Sequence, residues 1–258
     1  MLDTVVATAY LTPLREGGSL PGIVEGDDFG TYVAKFHAAG QGPKALVAEI
    51  VVGELARRLG LRVPDLVLLE LDPVIGRSEP DQEVQELLTT SAGTNLGVDF
   101  LPGSLGYEPT AFGVDPEEAA TVIWLDALTA NIDRSWRNPN LLIWHRKLWC
   151  IDHGAALRFH HDWSRADRFA TSPFDVSDHV LAGLAPPVSE VAPGLAAQLT
   201  DALLDDVLAL VPDEWLTPDL HRPDPAAPAD ASTARAAYRD LLLARVEASP
   251  SWLPGGGD

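Results

Sequence analysis

The chain has 258 residues, 46% of them apolar and 22% charged, and a formal net charge of −20. That is an ordinary globular composition with enough chain to bury a core, and it excludes the disordered and membrane-embedded classes. Eighteen Lys and Arg against 38 Asp and Glu, with an isoelectric point near 4.5, exclude broad binding to nucleic acid or anionic membrane, which needs a cationic footprint.

No apolar run approaches the roughly 18 residues that span a bilayer. The first residues, MLDTVVATAYL, carry an acid where an export signal carries Lys or Arg. The single cysteine, Cys150, excludes internal disulfides. A cytoplasmic protein is expected. The charge is uneven. Residues 134–168 hold seven cations (Arg134, Arg137, Arg146, Lys147, Arg158, Arg165 and Arg168) and three acids, a window of +4 inside a remainder of −24. Either chance clustering or a compact anionic ligand accounts for it.

In chain order, residues 5–11 (VVATAYL) read as a β-branched strand, Arg15–Pro21 as a Gly-rich turn, Gly22–Glu25 as a second strand and Thr31–Phe36 as a third. Three short strands with tight turns suggest an antiparallel meander. A helix is expected from Pro43 to the stop at Gly60, with Leu46, Ile50, Leu55 and Leu59 at helical spacing. Val67–Leu71 is a strand, Ser78–Gln85 an exposed loop or frayed helix start, and Asn95–Ser104 a strand running into a turn at Pro102-Gly103. The next helix starts at the Asp115 N-cap, with Pro116 in its first turn and Glu118 at capping-box spacing. Two apolar runs, Leu141–Trp144 and Leu148–Ile151, flank His145-Arg146-Lys147 and predict a hairpin with a three-residue turn. Leu195–Leu210 and Ala231–Val246 read as helices, and the tail SPSWLPGGGD as flexible.

The informative segment is Asn131-Ile-Asp133-Arg-Ser-Trp-Arg-Asn138, followed beyond the hairpin by Ile151-Asp152-His153-Gly154. An Asp and an Asn five apart, then a hairpin, then an Asp just before a Gly, is the layout of a kinase catalytic centre. Phosphoryl transfer needs a carboxylate to orient a hydroxyl and take its proton, and hard oxygen ligands for Mg2+. Asp133 suits the first role, Asn138 and Asp152 the second. Taken singly, Asp133 could cap a helix end, Asn138-Pro139 is ordinary turn chemistry, and Asp152 could sit in a plain loop. Lys35, on a mostly apolar strand, and Glu49, in the next helix, suit the phosphate Lys and its orienting Glu. His153, His160, His161 and Asp162 match no helix-borne metal pair, and no Gly-x-Ser-x-Gly element is present.

With TYVAKF, AEIVVGELARRLGLRVPD, NIDRSWRNPNLL and CIDHGAAL, the chain resembles the HipA-like kinase family over roughly residues 5–210. The resemblance implies an α+β, two-lobed protein-kinase-like fold: a small antiparallel-sheet N-lobe (1–101), a mainly helical C-lobe (102–220), and a linker, helix and tail (221–258). It implies Lys35 on phosphate with Glu49 as its ion partner, Asp133 as catalytic Asp, and Asn138 and Asp152 as magnesium ligands, with Asn140 a lesser candidate. Gly17, Gly18 and Ser19 would form the nucleotide loop, and Val98-Asp99-Phe100-Leu101 the hinge whose backbone binds adenine. Arg134 and Arg137 would contact phosphates. ATP and Mg2+ are the expected cofactors, and Ser/Thr of a protein the expected acceptor. A small-molecule or lipid acceptor, or a non-catalytic nucleotide-binding module, are the alternatives. The sequence departs from the family where Arg-Ser-Trp-Arg stands between the Asp and Asn, and where His-Gly follows Asp152.

Overall fold

The computed structural model describes residues 1–14, 20–77, 79–218 and 223–254. The chain divides into two compact units, Met1–Leu46 with Pro64–Pro102, and Val47–Val63 with Gly103–Asp258. Residues 47–63 therefore group with the second unit rather than with an N-terminal segment 1–101. Residues 223–254 also belong to the second unit instead of standing apart. Among the described residues no helix is long and apolar enough to cross a membrane.

The first unit is built on a closed five-stranded barrel. Its strands are β1 (Thr4–Pro13), β2 (Gly22–Gly26), β3 (Thr31–Lys35), β4 (Leu66–Leu71) and β5 (Gly93–Asp99), in the order β1-β2-β3-β5-β4. The expected antiparallel meander holds for β1-β2-β3 only. A parallel pairing of β1 with β4 closes the sheet on itself. Two irregularities in the β1–β2 register, at Ala7/Ala9 and Tyr10/Thr12, bend the strand in the way closure requires. Val5 and Ala7 of β1 alternate inward with Val24, Tyr32, Ala34 and Leu69. Gly97 of β5 lies against Val67, where a Cβ would come within 2.6 Å of that side chain; the barrel interior has no room for one.

Helix α1 (Pro43–Arg58) has Val47, Ile50, Val51 and Leu55 fully buried. In the first unit, Asp81 caps α2 (Gln82–Thr90), where the sequence suggested only a frayed start. In the second unit, α3 (Pro116–Thr129) is the central helix, and Ala119 through Thr129 are all buried. The Asp115 carboxylate accepts the N–H groups of Glu117 and Glu118. Glu118 does not reciprocate in a capping box; its carboxylate takes Arg62 at 2.6 Å instead. Three strands, β6 (Leu105–Gly106), β7 (Leu141–Trp144) and β8 (Lys147–Cys150), form a small antiparallel sheet. The β7–β8 turn has two residues, not three: His145 and Arg146 both take positive φ, 47° and 63°, and Lys147 already pairs with Trp144.

The expected single helix over 195–210 is two helices, α4 (Val188–Ala196) and α5 (Asp201–Leu208), the second capped by Thr200. After the short α6 (Asp213–Leu216), α7 (Ala231–Glu247) opens with an Asp230/Thr233 capping box. It packs on α5, α6 and the 3-10 segment Trp163–Thr171. The tail is not loose through Trp252. Residues Ser249–Trp252 form α8, and the Trp252 ring is buried against Trp124 at 6.4 Å.

Candidate active site

Helix α3 ends at Ala130, whose left-handed backbone (φ 52°) turns the chain out of the helix. The loop that follows carries Asp133. Its N–H donates to Asn131 Oδ1 at 3.2 Å. The half-buried Asp133 carboxylate accepts Asn138 Nδ2 at 3.1 Å and Asn140 Nδ2 at 3.3 Å. Asn140 also donates to the Asp133 carbonyl at 2.8 Å. Paired bonds between Ser135 and Asn138 close the intervening turn. Asn138 is exposed and Asn140 is buried. The sequence-predicted Asp and Asn are thus brought together, and the Asn138 amide meets Asp133 with its nitrogen, leaving its oxygen at the opposite end.

The hairpin β7–β8 returns the chain to Asp152. The N–H of Ile151 donates to the Asn140 carbonyl at 3.1 Å, which joins the two ends of the hairpin. Asp152 is exposed and sits at φ 56°. A non-glycine residue there is uncommon and marks a backbone held by its surroundings. Glu49, from α1, is buried at 4% exposure and accepts the Gly154 N–H at 2.8 Å.

Arg134 is a correction. Instead of reaching phosphate, it is 2% exposed. Its Nε donates to Asp126 Oδ2 at 2.6 Å and its Nη2 to Asp126 Oδ1 at 3.4 Å. Nη1 donates to the Asn140 carbonyl and, at a long 3.5 Å, to that of Ile151; Nη2 lies 3.4 Å from His153 Nδ1. His179 Nε2 donates to Asp126 Oδ2 at 3.0 Å, and its Nδ1 accepts the Leu181 N–H, which sets the tautomer. Asn131 Nδ2 completes the shell of Asp126 at 3.0 Å. Burial opposes ionisation of Asp126, but the Arg134 charge and the His179 hydrogen bond outweigh it and hold its carboxyl at about 2. The sequence reading passed over Asp126 and His179. The signal for Asp126 was an acid within the apolar run of α3, which cannot be buried without partners.

Arg137 is exposed, with its guanidinium 4.1 Å over the Trp136 ring. Arg165 pairs with Asp162 at 3.4 Å on the surface. Buried His160 lies 2.7 Å from the Tyr238 hydroxyl within a cluster of aromatic rings. Cys150 is buried, and burial pushes its thiol up to about 12, so it is inert as a nucleophile.

In the first unit, Lys35 is half-buried at the end of β3, opposite Leu96 of β5. Asp99 is half-buried and Leu101 buried, while Phe100 is 36% exposed. Burial, then Asp65 and Asp28, raise the Asp99 carboxyl above its usual range. The N–H groups of Asp99 and Phe100 are engaged by the carbonyls of Asp65 and Thr31. Gly17, Gly18 and Ser19, the expected nucleotide loop, lie outside the described residues.

The HipA-like kinase profile matches residues 8–239. Among solved structures, the Helicobacter pylori proinflammatory kinase CtkA aligns with 96% of this chain and 98% of its own, at 9% identity and a TM-score of 0.53. This is a likeness of fold. A Golgi casein kinase aligns at 17% identity, over 96% of this chain and 71% of its own, with a TM-score of 0.44. Shewanella oneidensis HipA, solved with HipB and operator DNA, aligns at 14% identity over 96% and 65%, with a TM-score of 0.45. These last two are too slight to carry an argument. No curated protein matches the sequence.

Proposed function

This chain belongs to the HipA-like kinase family, and from that premise we propose that it is an ATP- and Mg2+-dependent phosphotransferase acting on Ser or Thr of a protein. The observation that carries the reading is the Asp133 carboxylate, half-buried and oriented by the amides of Asn138 and Asn140, with Asp152 following the hairpin that starts beside it.

In this reading Asp133 orients the acceptor hydroxyl and takes its proton as the bond to phosphorus forms. The two amides keep one carboxylate oxygen occupied and so fix the direction in which the carboxylate accepts. Asn138 and Asp152 supply the hard oxygen donors that suit Mg2+. When bound, the metal neutralises charge on the phosphates. Lys35 and Glu49 take the roles that the family resemblance gives them. Of the two arginines read as phosphate contacts, only the exposed Arg137 retains that role. Asp99, Phe100 and Leu101 remain the proposed adenine-facing segment.

The test is phosphate transfer from labelled ATP, with and without Mg2+, to the protein itself and to a mixed Ser/Thr peptide library. Asp133→Ala is expected to lower the rate by about 10²–10⁴-fold. Equal rates for wild type and variant would overturn the reading.

A further inference from the structure

Arg134 and Asp126 form a fully buried ion pair that binds none of the reactants in the proposed chemistry. Removing two charges from water costs several kcal/mol per ion, and apolar residues of equal volume often serve stability as well. Packing alone does not call for such a pair here.

What the pair touches suggests its purpose. Asp133 and Asp152 are nineteen positions apart in sequence. Arg134 follows Asp133 directly, and its Nη1 donates to the carbonyls of Asn140 and Ile151. Asn140 precedes β7, and Ile151 follows β8 and directly precedes Asp152. One guanidinium thus joins the residue after one proposed site carboxylate to the residue before the other. Asn140 in turn reaches back to Asp133 through its side chain. Asp126 holds that guanidinium from α3, which is buried from Ala119 to Thr129. Among the described residues, its carboxylate is bonded by Asn131, Arg134 and His179, all from segments next to the proposed site.

We propose that the Asp126–Arg134 pair is a positioning device that sets the separation of Asp133 and Asp152, with Asp126 anchoring and Arg134 spanning. This rests on the kinase reading. Its energetic logic is that of outer-shell groups, which fix the geometry of catalytic groups they do not replace. A misplacement of about 1 Å between reacting groups costs on the order of 10²-fold in rate.

Two variants test it. Asp126→Asn combined with Arg134→Met removes both buried charges and leaves an amide oxygen for His179. Arg134→Lys keeps a cation beside Asp126, but one compact ammonium cannot hold both Asp126 oxygens and the two carbonyls from separate nitrogens as the planar guanidinium does. Both are expected to fold, by near-ultraviolet circular dichroism and a cooperative melt. Their kcat should fall about 10–100-fold, while KM for ATP stays within about threefold. A pair serving stability alone would move the melting temperature and leave kcat intact. Wild-type kcat in either folded variant overturns the inference, and so does loss of fold in both, which would mark the pair as structural. A wild-type protein with no phosphotransfer overturns the kinase reading and this inference with it, an outcome distinct from an active wild type with equally active variants.

Discussion

Glu49 Oε1 accepts the backbone N–H of Gly154 at 2.8 Å, across 105 positions of sequence. The bond ties α1 to the loop that begins with Asp152. Both ends belong to the second compact unit, so the helix that sequence alone assigns to the N-terminal part is tied to the loop after β8.

That bond separates two roles of Glu49. Glu49→Gln keeps an oxygen for the Gly154 N–H, whereas Glu49→Ala leaves the donor without it. Gly154 is half-buried, so the unpaired donor costs towards the lower end of the roughly 1–3 kcal/mol of a buried one. The urea midpoint is expected to fall for the alanine variant and stay near wild type for glutamine, while phosphotransfer falls in both through loss of the charge. Equal midpoints for the two variants would show that the bond to Gly154 does not stabilise the fold.

Asp152, the proposed metal ligand, has a left-handed backbone (φ 56°). An L-residue in that region pays on the order of 1 kcal/mol that glycine does not. Asp152→Gly is therefore expected to melt above Asp152→Ala, both having lost the carboxylate, while Mg2+-dependent turnover is lost in both. Equal melting temperatures for the two variants would show that the left-handed backbone carries no cost there.

The Asp126 carboxyl titrates at about 2 in the folded protein, against 3.8 without the protein environment. Its folded value is depressed, so its contribution to stability is complete above pH 3.8 and is lost as pH falls from there towards 2. Between pH 5 and pH 3 the urea midpoint of the wild type should fall more steeply than that of the Asp126→Asn, Arg134→Met double variant. Parallel profiles would count against the charged pair as the cause.

At the C-terminal end, the Trp252 ring lies 4.7 Å from the Arg245 guanidinium, and its Nε1 donates to the Arg245 carbonyl. Arg245 is itself buried, on the carbonyls of Ala127, Phe169 and Ser172. Trp252→Ala is expected to cost about 3–5 kcal/mol in urea unfolding. A change below about 1 kcal/mol would return the segment to the status of a dispensable tail.

Much of the architecture could be read from local pattern. Asp115-Pro116 marked the start of α3, Gly60 the stop after α1, and two apolar runs with three polar residues between them the β7–β8 hairpin, though not its two-residue turn. These signals lie within a few residues of what they specify, because capping and turn formation involve near neighbours. The parallel closure of β1 onto β4 left no such mark. It depends on a barrel that forms only once five strands have paired.

The site divides in the same way. Asp133, Asn138 and Asp152 stood out as candidates because phosphoryl transfer would restrict the residue types and a hairpin restricts their spacing. Arg134, one position from Asp133, read as another surface cation, yet it is among the most buried side chains. Burial of a guanidinium depends on whether enough acceptors surround it to offset its lost hydration. Those acceptors are Asp126 from α3 and the carbonyls at both ends of the hairpin. Composition and spacing named the residues that suit the chemistry. Which of two adjacent charged side chains stays half-exposed and which is buried was decided by groups that folding alone brings together.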